Sequence, residues 1–205
     1  KGLGTIDFKN SNGTVDLLYA EKHVHVNTDG DVDVIKLQFA HLLSKVKFTF
    51  QNAFPVGGYN TLKVQNITIS EAPSEGKVVL NGDARSWEIK GNGTTLNFGN
   101  VNGGVALNPT EKGESDFERL TIPAADNVRY KIDFDMTLYQ GLEVGMESHK
   151  TLYLEGQEFV MGKNYNFIVV VNPDNFAEDA LEEIKFDVVV EDWVEGDFNG
   201  NFVED

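Results

Sequence analysis

The chain has 205 residues, no cysteine and a formal net charge of −16 at pH 7. The absence of cysteine excludes disulfides, thiolate catalysis and zinc sites built on thiolates. The acidity argues against nucleic acid or an anionic membrane surface as partners, because both bind clusters of lysine and arginine. No apolar run of about 18 residues predicts a membrane-spanning helix.

Short strands are predicted first, at Thr5–Phe8, Val15–Ala20 and His23–Asn27. Alternation would place His23 and His25 on one face of the third strand, a geometry that some metal sites use. The sequence suggests no third ligand, so two solvent-facing histidines are the favoured interpretation and no metal site is predicted.

An acidic turn follows at Asp29–Asp33 and faintly resembles a calcium loop. Calcium loops of the helix–loop–helix type have oxygen ligands at positions 1, 3 and 5 and a glycine at position 6. Here the glycine, Gly30, is at position 2, and strands rather than helices are predicted on both sides. A solvated acidic turn is therefore favoured, and adventitious binding of Ca²⁺ stays open.

The run Val34–Asn52 is the stretch around which we expect the fold to be organised. In its second half Val46, Phe48 and Phe50 alternate with polar residues, which predicts a strand with one face on a core. Its first half alternates too and also predicts a core face. The apolar residues have odd numbers in the first half, however, and even numbers in the second. One inserted residue turns every later side chain to the opposite face, so a bulge or a single helical turn is predicted within Ala40–Ser44.

Short strands separated by glycine and asparagine turns continue the pattern, which is typical of a β-sandwich. The apolar content falls between Gly99 and Asp116, and we place a domain boundary there. Beyond it, Asn164–Asn172 is apolar on both faces and is expected at the centre of a sheet, while Ala177–Glu183 has the composition of a short helix. The strands predicted after Asn52 are Leu62–Ser70, Gly76–Leu80, Trp87–Lys90, Thr94–Phe98, Tyr130–Leu138, Thr151–Leu154, Glu158–Met161, Asn164–Asn172 and Lys185–Trp193.

Three segments carry a resemblance to a known family: FAHLLSKVKFTF at Phe39–Phe50, LTIP at Leu120–Pro123 and IKFDVVVEDW at Ile184–Trp193. They resemble signatures of the fimbrillin-like proteins of Bacteroidetes, which are subunits and accessory proteins of type V pili. Together the segments place most of the chain. None of them is a catalytic motif, so the resemblance concerns the fold and a role in assembly.

The resemblance implies an all-β fold of two tandem transthyretin-like antiparallel β-sandwich domains. On that basis we predict one sandwich in residues 1–112, lacking its first strands, and a second in residues 117–205. Proteins of this kind are exported as lipoproteins to the outer membrane. The resemblance therefore also implies a lipid-anchored precursor and a chain that has been processed or trimmed.

The resemblance further implies how the protein would assemble with other pilin subunits. In the family, a protease specific for arginine or lysine removes an N-terminal strand, and a strand of the next subunit fills the groove that opens. The candidate groove residues are Val46, Phe48 and Phe50, the inward side chains of the N-terminal sandwich. The tail Val194–Asp205 is polar and contains glycine, which makes it a poor donor strand, so a tip or accessory subunit serving in adhesion is favoured over a stalk subunit.

The alternative is a surface lipoprotein that binds a glycan or a host protein without polymerising. Phe54, Tyr59 and Trp87 are the candidate aromatic platforms for that role, although aromatic residues within strand patterns usually pack in cores. One exposed patch formed by all three would favour ligand binding, and burial of all three would favour assembly. No phosphate loop, nucleophile elbow or dinucleotide fingerprint occurs in the sequence, so neither an enzymatic activity nor a cofactor is predicted.

Overall fold

The computed structural model describes residues 4–21, 37–81, 84–124, 128–176, 184 and 186–193. Within these residues the fold is all-β, as predicted, with short 3₁₀ helices at Asn102–Gly104 and Pro173–Phe176. No helix in the described part of the chain is long and apolar enough to cross a membrane. The strands are β1 (Gly4–Lys9), β2 (Leu18–Tyr19), β3 (Ala40–His41), β4 (Ser44–Asn52), β5 (Asn60–Asn81), β6 (Ala84–Gly99), β7 (Lys112–Glu114), β8 (Arg119–Thr121), β9 (Tyr130–Gln140), β10 (Glu143–Leu154), β11 (Lys163–Val171) and β12 (Phe186–Asp192).

Several sequence predictions fall on residues outside these ranges. They are the histidine pair His23 and His25 with its strand, the acidic turn Asp29–Asp33, the helix at Ala177–Glu183 and the tail Val194–Asp205. These predictions stay predictions.

Two sheets face each other across the core. In the first sheet β5 is central, with β6 along one side, β1 and β9 along the other, and β10 beyond β9. In the second sheet β4 runs parallel to β11, carries β7 and β8 on its other side, and β12 pairs with the outer side of β11. All strand pairs except β4–β11 are antiparallel. The short pair β2–β3 forms a separate ribbon.

The core consists of inward side chains from both sheets, delivered by the period-2 alternation of their strands. Phe48 of β4 packs against Phe98 of β6 and Phe167 of β11, with ring centroids 4.9 and 5.5 Å apart. Phe50 packs against Phe134 of β9 at 5.1 Å. These aromatic contacts join both sheets in one continuous hydrophobic cluster.

The core and the strand pairing cross the boundary that the sequence predicts at residues 112–117. Strands β4 and β5 precede that boundary and strands β9 and β11 follow it, yet β5 pairs with β9 and β4 pairs with β11. Separate domains would each have a core of their own. In the described residues, strands from both sides of the predicted boundary contribute to the larger of two hydrophobic clusters.

Strands β5 and β6 are longer than predicted. The segments Leu62–Ser70 and Gly76–Leu80 belong to one strand of 22 residues, and the predicted turn at Gly91–Gly93 lies within the 16-residue β6. Bulges between Ile69 and Gly76 let the hairpin bend without ending its pairing. The part of this hairpin that lies beyond the bulges and contains its turn, together with β1, forms what we call the arm.

The arm packs on a second, smaller cluster formed by Leu43, Leu120 and Ile122. Trp87 contributes to this cluster, and its ring passes directly over Gly76. A Cβ atom at Gly76 would lie 2.8 Å from the Trp87 ring, so only glycine permits this approach. The two clusters explain why such a long hairpin stays ordered at both ends.

The organising run behaves as predicted in its second half and differently in its first. Strand β4 is central, and the chain breaks between β3 and β4 at Leu42 and Leu43, where the parity switch predicted an irregularity. Leu37 and Phe39, however, are more than half exposed rather than in the core. The physical reason is that the adjoining strand β3, among the described strands, pairs with β2 and belongs to neither of the two large sheets.

The structure also differs from the short strands predicted at Thr151–Leu154 and Glu158–Met161. Strand β10 extends from Glu143 to Leu154 and pairs with β9 through the two-residue turn Gly141–Leu142. Gly141 has a φ of 66°, which glycine adopts without steric cost and which tight hairpin turns require. Phe159 forms an isolated bridge with Ala124 instead.

Candidate interaction surfaces

The predicted groove residues lie in the interior of the sandwich. Val46, Phe48 and Phe50 point inward, as their alternation predicts, and all three are completely buried. Rings from the facing sheet cover them, and β4 is paired along both sides. The described residues show no open groove over these side chains. A strand from another subunit could therefore reach them only if a strand of this chain left its place.

The structure does not bring Phe54, Tyr59 and Trp87 into one patch. Phe54 is buried and packs edge-on against Phe176, with ring centroids 5.9 Å apart. Trp87 is half-buried in the arm, where its Nε1–H donates a hydrogen bond to the Leu42 carbonyl at 2.8 Å. Tyr59 is 80 % exposed and precedes β5, at the opposite end of that strand from the residue that pairs with Trp87. Of the three, Tyr59 alone presents its ring to solvent.

Strand β1 lies on an edge of the first sheet and is held largely by its backbone. It pairs along the far half of β5 over its whole length. Phe8 contacts Trp87 with ring centroids 6.1 Å apart. Lys9 forms a surface ion pair with Glu75 at 2.9 Å, an interaction type that contributes about 0–1 kcal/mol. Asp7 likewise forms a surface ion pair with Lys90. Beyond the partial burial of Ile6 and Phe8, the side chains of β1 therefore contribute little to its retention.

Strands β10 and β12 end the two sheets within the described residues. On their outer sides, edge strands have backbone groups that can pair with a further strand. Val189 and Val190 of β12 are partly exposed, and so are Val144 and Met146 of β10. The edges at β10 and β12 therefore offer another chain backbone groups beside apolar side chains, in addition to the edge that β1 occupies.

A hydrogen-bonded cluster of Asp133, Asp135 and His149 lies on the outer face of the first sheet. The register of β9 and β10 places His149 opposite Asp135 and Thr151 opposite Asp133. His149 Nδ1 lies 2.6 Å from an Asp135 oxygen, and the Thr151 hydroxyl donates to Asp133 at 2.5 Å. Asn66 Nδ2 donates to the second oxygen of Asp135 at 2.8 Å. Every carboxylate of the cluster is thus hydrogen-bonded.

These hydrogen bonds favour the ionised carboxylates. The donors Asn66 and His149 hold the pKa of Asp135 below its ordinary value. Burial opposes the ionisation of Asp133, but hydrogen bonds from Thr151 and Lys131 outweigh it, so the pKa of Asp133 is lowered as well. No group of three or more histidine, aspartate or glutamate side chains in the described part of the chain could hold a metal ion. The cluster acts as a charged pairing between two strands.

An exposed apolar surface at one end of the sandwich was not predicted from the sequence. It lies where β5 begins and where β9 turns into β10. Val56, Tyr59, Val105 and Leu142 project there, with 79, 80, 67 and 101 % of their surface exposed. The sequence does contain one indication of this surface: the segments that carry these four side chains have almost no charged residues.

A family model described as fimbrillin-like matches residues 3–193 of the chain. The match includes the three segments at Phe39–Phe50, Leu120–Pro123 and Ile184–Trp193. No curated protein sequence matches the chain significantly.

Solved structures of Bacteroides proteins are similar to the chain. A proposed cell adhesion protein from Bacteroides uniformis is 17 % identical, with a TM-score of 0.50 over 93 % of this chain and 66 % of its own. A proposed cell adhesion protein from Bacteroides ovatus is 16 % identical, with a TM-score of 0.46 over 80 % and 49 %. A fimbrial protein from Bacteroides vulgatus is 11 % identical, with a TM-score of 0.41 over 77 % and 56 %. The chain thus spans about half to two thirds of the length of these solved chains.

Proposed function

The chain belongs to the fimbrillin-like family, and on that premise we propose that it is a tip or accessory subunit of a type V pilus that serves in cell adhesion. Membership of the family makes it a fimbrial or adhesion-type protein at the cell surface. The match over residues 3–193 is the observation that carries the proposal. The proposed precursor is anchored by lipid to the outer membrane, and the proposed protein is not an enzyme and uses no cofactor.

The proposed assembly with other pilin subunits uses strand addition at the position of β1. This position is a better candidate than Val46, Phe48 and Phe50, because those three side chains are covered on all sides. Departure of β1 would free the backbone of β5 along residues 75–80, including that of Val78, and one face of Trp87. Main-chain hydrogen bonds to a donor strand would then supply affinity, and the contacts now made by Ile6 and Phe8 would set its register.

The donor strand in this scheme has a recognisable pattern. Ile6 and Phe8 are the half-buried side chains of β1, two residues apart. A replacement strand needs apolar side chains at the same spacing, and each one that becomes fully buried contributes about 1.5–3 kcal/mol.

One observation favours the alternative role of a surface protein that binds a glycan or a host protein without polymerising. Tyr59 presents most of its ring to solvent from a loop that contains Gly57 and Gly58. Aromatic rings in such positions stack on sugars and on protein partners. Phe54 and Trp87 do not join it, so the alternative depends on a single aromatic side chain.

Immunogold electron microscopy on intact cells that produce the protein tests the proposal. Gold at filament ends or bases is the expected result. Gold along the filaments would contradict the tip or accessory assignment and indicate a stalk subunit. Diffuse labelling of the cell surface without filaments would overturn the pilus proposal and leave the ligand-binding alternative.

A further inference from the structure

Three chain segments meet at the apolar end of the sandwich and are held together by backbone hydrogen bonds. The Gly141 N–H donates to the Tyr59 carbonyl at 3.0 Å, which joins the segment Tyr139–Met146 to the segment Ala53–Thr61. Leu62, which directly follows the segment Ala53–Thr61, exchanges two hydrogen bonds with Leu107 of the segment Asn102–Thr110, at 2.9 and 2.7 Å. We call this surface the uncharged end. Its segments are Ala53–Thr61, Asn102–Thr110 and Tyr139–Met146.

The uncharged end is depleted in charge to an unusual degree. Its 26 residues contain one charged side chain, Glu143, whereas the chain average of 24 % would place about six there. Lys63 lies just outside these segments. Together with residues of all three segments, it lines a shallow depression. Depletion of charge together with exposed apolar side chains distinguishes the centre of a protein interface from ordinary surface.

The exposed side chains fit a protein partner better than a sugar. Val56, Val105 and Leu142 are aliphatic and at least two thirds exposed, and Tyr59 is the single highly exposed aromatic ring among them. Sugar sites use aromatic faces ringed by groups that bond hydroxyls, and isolated aliphatic side chains offer neither. Burial of these aliphatic groups against another apolar protein surface removes them from water.

We propose that the occupant of the uncharged end is a second copy of this chain, which pairs end to end about a two-fold axis. Each copy carries a net charge of −16, so two copies repel wherever their acidic faces meet. A two-fold contact uses the same patch on both partners. It therefore sets the uncharged end against itself and keeps the acidic faces apart.

The charged side chains at this surface are compatible with such a pair. Lys63 lines the depression beside Leu142, and Glu143 follows Leu142 directly in the chain. Because they have opposite signs, a two-fold axis between them can set Lys63 of one copy opposite Glu143 of the other. Because two copies with a net charge of −16 each repel one another, we expect a dissociation constant in the micromolar range or weaker.

Sedimentation equilibrium of the full chain, over concentrations up to roughly 1 mM, measures the dissociation constant of the pair. Leu142→Asp is expected to weaken dimerisation by about tenfold or more, because it sets a carboxylate on each side of the apolar contact. Leu142 is fully exposed in a turn, so this change removes no packing within the monomer. Circular dichroism confirms that the variant is folded.

Val15→Asp is the matched control, since it adds the same charge at a residue that is 60 % exposed and lies outside the uncharged end. It is expected to leave the dissociation constant within about twofold. Lys63→Glu and Glu143→Lys test the geometry: each alone is expected to weaken the dimer, and the combined variant to restore it. A monomer at every concentration, or equal weakening by Leu142→Asp and Val15→Asp, would overturn the proposal. It does not rest on the pilus assignment, and a monomeric result would leave that assignment untouched.

Discussion

The rings of Phe50 and Phe134 meet edge to face with their centroids 5.1 Å apart, although they lie on opposite sides of the domain boundary that the sequence predicts. Phe50 comes from β4 in the second sheet and Phe134 from β9 in the first. Both are completely buried. Their contact is where the two halves of the chain become a single folding unit.

A double-mutant cycle on this pair is expected to show coupling. Phe50→Leu and Phe134→Leu should each lower the free energy of unfolding by about 1–2 kcal/mol, because each loses an aromatic contact and leaves a small cavity. Together they should cost less than the sum, with an interaction energy of about 0.5–1.5 kcal/mol. Urea unfolding followed by tryptophan fluorescence measures these values. Phe50→Leu combined with Phe8→Leu in the arm is the control and should be additive, whereas additivity of the Phe50 and Phe134 changes would indicate separate cores.

Asn52 is expected to be one of the polar residues on which the stability of the fold depends. Its side chain is completely buried, donates to the carbonyls of Asn60 and Leu107 at 3.1 and 2.9 Å, and accepts from the Phe54 N–H at 3.0 Å. Asn52→Ala removes all three hydrogen bonds, although the Leu107 carbonyl keeps the one from the Leu62 N–H, and should cost about 1–3 kcal/mol in urea unfolding. Gln140→Ala, on an exposed side chain at the end of β9, should change stability by less than about 0.5 kcal/mol. Equal effects of the two changes would show that the Asn52 contacts are dispensable.

Two buried tyrosines are expected to respond oppositely to loss of their hydroxyl groups. Tyr130 and Tyr165 both pack on Phe159, with ring centroids 5.0 and 4.8 Å away. In the described part of the chain the Tyr130 hydroxyl has no hydrogen-bond partner, and burial raises the pKa of this group. The Tyr165 hydroxyl accepts a hydrogen bond from the Val160 N–H at 2.8 Å.

Tyr130→Phe should therefore leave the free energy of unfolding unchanged or raise it by up to about 1 kcal/mol, because it removes an unsatisfied buried group. Tyr165→Phe should lower it by about 1 kcal/mol, because the Val160 N–H loses its acceptor. Thermal and urea unfolding of the two variants check the difference. A larger loss for Tyr130→Phe than for Tyr165→Phe would mean that the Tyr130 hydroxyl is satisfied.

Asp135 is expected to contribute to the loss of stability in acid. Its pKa is lowered in the folded protein, so its contribution is fully present above the unfolded value of about 3.9 and is lost as the pH falls through the folded value. Asp135→Asn should make the protein slightly less stable at pH 7, and its stability should fall less steeply between about pH 5 and pH 2. Because the side chain is 44 % exposed, the effect should stay below about 1 kcal/mol.

Urea unfolding at a series of pH values measures this slope. Asn66→Gly removes the main hydrogen-bond donor but keeps the carboxylate, and glycine suits the positive φ of 55° at that position. It should flatten the profile in the same direction, by less than Asp135→Asn. If both variants showed the same dependence of unfolding free energy on pH as the unaltered protein, ionisation of this cluster would not contribute to the stability of the fold.

Local patterns in the sequence were enough to predict the all-β class, the inward faces of β4 and β9, and the central place of β11. Alternation is a property of neighbouring residues, and it decides which side chains share a face without reference to the rest of the chain. Val46, Phe48 and Phe50 were assigned to the core for this reason. The same reasoning could not show that the core over them is already filled by Phe98 and Phe134.

What the tertiary structure alone decided is which strands are neighbours and which apolar side chains remain uncovered. Pairing of β5 with β9 and of β4 with β11 depends on complementarity between distant segments, and no local pattern records it. Leu37 and Phe39 alternate as well as Phe48 and Phe50 do, yet they are exposed because no sheet lies opposite them. Apolar alternation thus predicts a face, and burial of that face requires an opposing sheet that only the fold supplies.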